Sequence, residues 1–113
     1  NICITCDRSR GGKVVLGKTH QADMDLYSTV CAVQNLWLAA RAENIGVGWV
    51  SIIKRETLSH ILKLPDEIVP VAYLCVGHVS SFPEIPELET KQWEVREQLK
   101  KLIYTDEWGN KVT

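Results

Sequence analysis

The cysteines are the first side chains in this 113-residue sequence whose type and spacing could do chemistry. Cys3 and Cys6 have the Cys-x-x-Cys spacing found in metal-binding and redox sites. A structural zinc site needs four ligands, however, and the sequence has no second Cys-x-x-Cys or His-x-x-x-His pair. Residues three apart in a strand also point to opposite faces. We therefore interpret both residues as strand cysteines and expect no metal site.

Ser51 and His78 suggest a second chemistry, that of a nucleophile and its general base. Ser51 lacks the Gly-x-Ser-x-Gly elbow of many hydrolases, and no acid partner for His78 is indicated. The histidines at 20, 60 and 78 also lack the spacing of metal ligands. The sequence therefore gives little support to a hydrolase.

The segment Gly46-Val47-Gly48 is more informative, because it lies between a helical pattern and a strand pattern. A dinucleotide-binding fingerprint has the order strand, glycines, helix, which is the reverse. Two interpretations remain open. The glycines form only a tight turn, or they let the backbone approach a flat ligand beside Trp49 and Ser51. Asn35, inside the preceding apolar helix, either caps a neighbouring backbone or faces a polar ligand.

Alternating helical and strand patterns predict the elements that must position these residues. The sequence predicts a strand over 2–6, a helix over 25–44, a strand over 46–53, a helix over 56–64 and a strand over 69–79. This order indicates an α+β or mixed α/β layout. We expect an α+β fold in which the long central helix lies against a mixed sheet.

The predicted helix over 25–44 is apolar on more than one side. Asp23 or Asp25 can serve as its N-cap, and Gly46 follows its end. One stripe carries large apolar side chains at helical spacing, namely Leu26, Val30, Val33, Trp37 and Ala40. A second face carries small ones, namely Ser28, Cys31, Ala32, Asn35, Ala39 and Ala42. We expect burial on most of the helix circumference, in a domain centre or a subunit interface.

The character of the sequence changes after Ser80. A proline-spaced segment leads to a helix-prone stretch over 90–103 that contains Trp93, and Trp108 follows near the end. A polar arm with tryptophans usually packs on another surface. We therefore expect residues 1–80 to form the main domain and residues 81–113 to form an arm that wraps a partner subunit.

Composition excludes several classes of function. Thirteen basic against fourteen acidic residues give a net charge of −1, without the Lys/Arg excess that nucleic acid or an anionic membrane would require. The sequence also contains no run of about 18 apolar residues, which is the length needed to span a bilayer. Four cysteines are far fewer than small disulfide-bonded secreted domains carry. We therefore expect a cytoplasmic protein whose partners include neither nucleic acid nor membrane.

The stretch DLYSTVCAVQNLWLAARAENIGVGWVS, residues 25–51, resembles the nitroreductase superfamily. Within it, the sequence is most similar to the BluB-type 5,6-dimethylbenzimidazole synthases. The similarity continues through VPVAYLCVGHV at 69–79, Phe82-Pro83, Trp93 and Trp108-Gly109. The resemblance implies a nitroreductase-like fold and a homodimer with flavin at the interface. It also implies an enzyme that consumes reduced FMN with O2 to form 5,6-dimethylbenzimidazole, the lower ligand of cobalamin.

The same resemblance implies roles for individual residues. Ser51 matches the catalytic serine of the family, and backbone groups of Val50, Ser51, Ile52 and Ile53 would bind the pyrimidine edge of the flavin. Gly48 and Trp49 would shape the approach to the ring. The family's FMN-phosphate arginines and its required aspartate lie in an N-terminal half to which this sequence does not correspond. We therefore expect this sequence to be the C-terminal half of such an enzyme and to be inactive alone. We do not expect the glycine-rich loop from Arg8 to Lys13 to replace the missing FMN-phosphate site.

Two alternatives stay open beside this interpretation. The first is a nitroreductase-like FMN oxidoreductase that uses NAD(P)H and retains its flavin as a cofactor. The second is a non-catalytic module for flavin binding or dimerisation.

Overall fold

The computed structural model describes residues 1–11, 13–14, 17–18 and 20–111. Its elements are, in chain order, β1 (Ile2–Asp7), α1 (Met24–Ala42), β2 (Ile45–Val50), α2 (Arg55–Leu62), β3 (Ile68–His78), α3 (Glu87–Thr90) and α4 (Leu99–Leu102). The chain divides into two compact units, Asn1–Ser80 and the segment from Ser81 onward.

The three strands form one sheet in the order β1-β3-β2. Both neighbours run antiparallel to β3, so the described sheet is not the mixed one we expected. The chain reverses direction through the short helix α2 between β2 and β3, which makes these two strands antiparallel. A β-bulge between Ile4 and Thr5 shifts the register of β1 against β3.

The first unit has its core between α1 and one face of the sheet. Val33 of α1 is buried against Ala72 and Leu74 of β3. Partly buried apolar side chains from all three strands and from α1 surround this cluster, namely Ile4, Leu36, Val47 and Val76. β3 is central because its two neighbours pair with both of its edges.

Most of α1 outside this contact is exposed. Val33 is the buried residue of the helix, whereas Leu38 is 60% exposed and Tyr27 is 54% exposed. The face of small residues that includes Ala32 and Asn35 is exposed as well. Within this chain the described sheet covers only one side of the helix, so α1 is not central in the domain. Burial of its other faces in a subunit interface stays a prediction.

The second unit contains only short helices, so the helix expected over 90–103 is wrong. α3 ends after one turn, where Gln92 adopts a left-handed φ of 55° and the Trp93 N–H donates to the Leu88 carbonyl at 2.9 Å. Aromatic and β-branched residues then follow, which favour helix less than the preceding glutamates do. Further on, the ring of Trp108 lies 4.7 Å from that of Tyr104.

In the part of the chain that the structure describes, no helix has both the length and the apolar character needed to cross a bilayer.

Candidate functional site

A pocket of about 200 Å³ lies where the pairing of β2 with β3 ends. The last pair in the register is Val50 with Tyr73. Beyond Val50 the chain leaves the edge of β3 and enters α2 at Arg55. The residues that line the pocket are Trp49, Val50, Ser51, Ile53, Arg55, Leu58, Pro70, Val71, Ala72 and Tyr73. The pocket therefore exists because a strand, a tight connection and a helix diverge from one edge of β3.

The alternation of side chains along the strands places part of this pocket on the face of the sheet away from α1. Ala72, Leu74 and Val76 face the α1 core, so Val71 and Tyr73 point to the other face. Val50 is paired with Tyr73 and shares that face. Gly48 is two residues before Val50 and lies on the same face, directly along β2 from the pocket.

The two glycines of β2 have different surroundings. A Cβ atom added to Gly46 would lie 2.5 Å from Cγ1 of Val79 and 3.3 Å from the carbonyl oxygen of Gly77, so a larger residue there would force the Val79 side chain to move. A Cβ added to Gly48 would have no described atom within 4 Å. Gly46 lies within β2 and has no left-handed φ, whereas Asn44, at φ 57°, is the left-handed residue between α1 and β2. The turn interpretation therefore does not account for Gly46, whose space is restricted by Val79, and Gly48 presents open backbone beside the pocket.

The six residues predicted for the flavin site occupy one short segment, but only four of them line the pocket. Trp49, Val50, Ser51 and Ile53 do so. Gly48 lies outside the lining, and Ile52 points to solvent with 96% exposure. The geometry thus gives Ile52 a position where its backbone, but not its side chain, could contact a ligand in the pocket.

Sequence reasoning missed the residues that α2 and β3 contribute. Arg55 and Tyr73 supply the polar side chains other than Ser51, and Leu58 and Val71 supply apolar surface. The one available signal was Tyr73, a polar-tipped residue inside the apolar run over 69–79. The sequence alone could not show that Tyr73 and Ser51 share a pocket, because only the register of β2 against β3 brings them together.

The polar side chains of the pocket are hydrogen-bond donors without partners among the described residues. Among the described residues, the side chains of Ser51, Arg55 and Tyr73 make no hydrogen bond or ion pair with one another or with any neighbour. The described lining residues include no carboxylate. A site with a guanidinium, two hydroxyls and apolar walls suits a planar ligand that is rich in acceptors.

The structure separates Ser51 from His78. His78 pairs with Ile45 at one end of β2, whereas Ser51 follows the other end, beyond the pair of Val50 and Tyr73. Five residues of extended strand from Tyr73 to His78 span about 17 Å. That separation is too large for a nucleophile and its general base, so the pair cannot act as a hydrolase couple.

The cysteines of β1 have the environments of strand residues. Cys6 is buried, Cys3 is half-buried, and both are free thiols. Burial raises the pKa of the Cys3 thiol, which keeps it in the less reactive protonated form. Within the described ranges, no group of three or more His, Cys, Asp or Glu residues could hold a metal ion.

A cluster of charges ties the end of β1 to the start of α1. Arg8 donates to the Asp23 carboxylate at 2.8 Å and to the Ala22 carbonyl at 3.0 Å, and its Nε lies 3.3 Å from Asp25. Lys18 donates to Asp25 at 2.6 Å. This bond, with help from Arg8, lowers the pKa of the Asp25 carboxyl. Two carboxylates thus occupy the guanidinium of Arg8, which makes it unsuited to gripping a phosphate.

Comparison with known proteins identifies the family. The model of the nitroreductase family matches residues 9–78, which include α1, β2, α2, β3 and the pocket. The chain belongs to the nitroreductase family. This membership confirms the resemblance noted in the sequence.

Two relatives of this nitroreductase-family chain carry the same name. A 5,6-dimethylbenzimidazole synthase of Rhodospirillum rubrum is 40% identical over 95 residues, which are 84% of this chain and 45% of the relative. A 5,6-dimethylbenzimidazole synthase of Rhodobacter capsulatus is 39% identical over 67 residues, which are 59% of this chain and 32% of the relative. The chain therefore spans less than half the length of either relative.

A solved structure confirms the fold. The crystal structure of a nitroreductase family protein from Clostridium difficile 630 superposes with a TM-score of 0.65. The match covers 91% of this chain and 56% of that one, at 21% sequence identity. The α+β nitroreductase-like fold expected from the sequence is thus confirmed, as a partial example of it.

Proposed function

We propose that this chain provides the ring-facing wall of the flavin site in a 5,6-dimethylbenzimidazole synthase. In the whole enzyme, reduced FMN is the substrate, and its O2-dependent breakdown yields 5,6-dimethylbenzimidazole, the lower ligand of cobalamin. The observation that carries the proposal is the pocket, which gathers Ser51 with Trp49, Val50 and Ile53 at the end of β2. The two relatives named for this activity support the choice of reaction.

The pocket fits part of a flavin rather than all of it. Its volume of about 200 Å³ is below the range of about 300–1,000 Å³ that is usual for pockets enclosing a whole ligand. It has side-chain donors for an acceptor-rich edge in Arg55 and Tyr73. Along β2 from the pocket, Gly48 has open space above its backbone. A ring whose polar edge enters the pocket would extend flat over Gly48.

This placement gives the residues of the chain distinct roles. Backbone groups from Val50 to Ile53 hold the pyrimidine edge, and Ser51 presents its hydroxyl to the reacting region of the ring. Trp49 is paired with Leu74 and points to the α1 face of β2, so its indole shapes the pocket from that side. A dry site preserves the reactive form of a reduced flavin. Gly48 admits the plane of the ring.

The exposed surface of α1 supports a homodimer with flavin at the subunit interface. Large side chains such as Tyr27 and Leu38 remain exposed on a helix that already packs on the sheet. Exposed apolar surface of this kind marks an interaction site. Trp93 and Trp108 in the segment from Ser81 onward are 69% and 89% exposed, and we propose that this segment is an arm that packs on the partner subunit.

The four free cysteines suit the reducing cytoplasm, where we place the protein.

The proposal is tested by giving the full-length protein chemically reduced FMN in air and identifying the products by mass spectrometry. We expect 5,6-dimethylbenzimidazole to form while FMN disappears. Turnover of NAD(P)H with FMN intact would instead identify an ordinary nitroreductase-like FMN oxidoreductase. Flavin binding with neither reaction would identify a non-catalytic module.

A further inference from the structure

The pocket at the end of β2 contains one formal charge among its described lining residues, the guanidinium of Arg55. Arg55 is the first residue of α2, directly after the connection that carries Ser51. Among the described residues it has no carboxylate partner within ion-pair distance. Arg8, in contrast, is fully engaged by Asp23 and Asp25. Arg55 is therefore a cation whose charge is available to a ligand in the pocket.

The surroundings of Arg55 favour an anion with a planar, delocalised charge. The guanidinium is a flat fork of donors that matches two acceptors in one plane. The hydroxyl of Tyr73 adds a donor, and the described lining includes no carboxylate to oppose an anion. No side chain caps the N-terminus of α2 by a hydrogen bond in the described structure, so the positive end of its dipole adds to the effect.

We propose that Arg55 binds the negatively charged pyrimidine edge of reduced flavin and makes the site prefer reduced over oxidised flavin. This assignment rests on the proposed function. Reduced flavin carries its negative charge on N1 and the C2 carbonyl oxygen at neutral pH, whereas the oxidised ring is neutral, and a cation near N1 therefore stabilises the reduced form selectively. The FMN phosphate is a second anionic group that a guanidinium could bind, and the two must be distinguished.

The test measures the affinity of the full-length protein for oxidised and reduced FMN, and for oxidised and reduced riboflavin, by anaerobic fluorescence titration. Arg55→Gln is expected to weaken the binding of both reduced flavins about tenfold or more, and that of the oxidised flavins less than about threefold. A tenfold selective loss lowers the two-electron potential of bound flavin by about 30 mV. Arg55→Lys retains the charge and should retain most of the preference.

Lys54→Gln provides the matched control, because it removes one positive charge from the adjacent residue, which does not line this pocket. Equal effects of Lys54→Gln and Arg55→Gln would overturn the assignment, since the cause would be net charge. A loss of affinity for FMN but not riboflavin, equal in both oxidation states, would also overturn it and assign Arg55 to the phosphate. If the unaltered protein binds no flavin, the proposed function itself fails. Flavin binding that Arg55→Gln leaves unchanged contradicts only the role of Arg55.

Discussion

Replacing each glycine of β2 by alanine should separate a residue needed for folding from one needed for ligand binding. Gly46 and Gly48 lie on the same face of the same strand, two residues apart. Only Gly46 has close neighbours, with Cγ1 of Val79 at 2.5 Å from an added Cβ. Gly46→Ala should therefore destabilise the protein, whereas Gly48→Ala should leave stability intact and weaken flavin binding.

The contact at Gly46 sets the size of the expected difference in stability. Overpacking by one methyl costs about 1–3 kcal/mol, and Val79 is 46% exposed, so its side chain can rotate and the lower end applies. The entropic advantage of alanine over glycine, about 0.5–1 kcal/mol in a strand, is common to both variants and cancels between them. We therefore expect Gly46→Ala to be less stable than Gly48→Ala by about 1 kcal/mol.

The same arithmetic applies to the ligand at Gly48. If the flavin ring lies on this backbone, an added methyl forces it away at a cost of about 1–3 kcal/mol, which corresponds to about 5- to 150-fold in Kd. Urea unfolding of the full-length variants measures the stability, and anaerobic titration with reduced FMN measures the affinity. Gly11→Ala, at another site with no described neighbour within 4 Å, is the control.

Two results would refute this reasoning. An unchanged affinity of Gly48→Ala for reduced FMN would show that the flavin ring does not lie on β2. Equal stabilities of Gly46→Ala and Gly48→Ala would mean that Val79 imposes no packing constraint on Gly46.

Three further perturbations test other parts of the account. Ser51→Ala should slow the formation of 5,6-dimethylbenzimidazole about 100-fold or more while changing the Kd for reduced FMN only slightly; equal losses in rate and affinity would exclude Ser51 from the chemistry. The lowered pKa of Asp25 means that its stabilising effect is complete above its usual value of 3.8 and is lost as the pH falls through the folded value. Asp25→Asn should therefore lower the urea midpoint at pH 7 and lower it progressively less as the pH falls below 3.8, and a loss that does not change with pH would show that charge is irrelevant. Truncation before Glu89 should weaken dimerisation in sedimentation measurements, and an equally stable dimer would contradict the role of the arm.

The long elements could be predicted from sequence because their signals accumulate over many residues. The helix expected over 25–44 is observed at Met24–Ala42, and the strand expected over 69–79 is observed at Ile68–His78. The predicted helix over 90–103 failed because one local conformation, the left-handed backbone at Gln92, ends α3 after a single turn. Periodicity contains no information about such a termination.

The site could be predicted only where its residues are contiguous. Trp49 and Ser51 were found because they follow Gly48 directly in the resemblance. Arg55 and Tyr73 were not found, since α2 and the register of β3 bring them to the pocket from other parts of the sequence. The same holds for the cluster of charges between β1 and α1, in which Arg8 donates to Asp23, 15 residues away in sequence. Short-range patterns do not encode either association.

The most direct test of the proposed flavin site is a crystal structure of the full-length protein with FMN bound. We predict that the pyrimidine edge lies within hydrogen-bonding distance of the backbone between Val50 and Ile53, with the Ser51 hydroxyl beside the ring and the ring plane over Gly48. An FMN whose ring contacts neither this segment nor the pocket lined by Ser51 and Tyr73 would contradict the account.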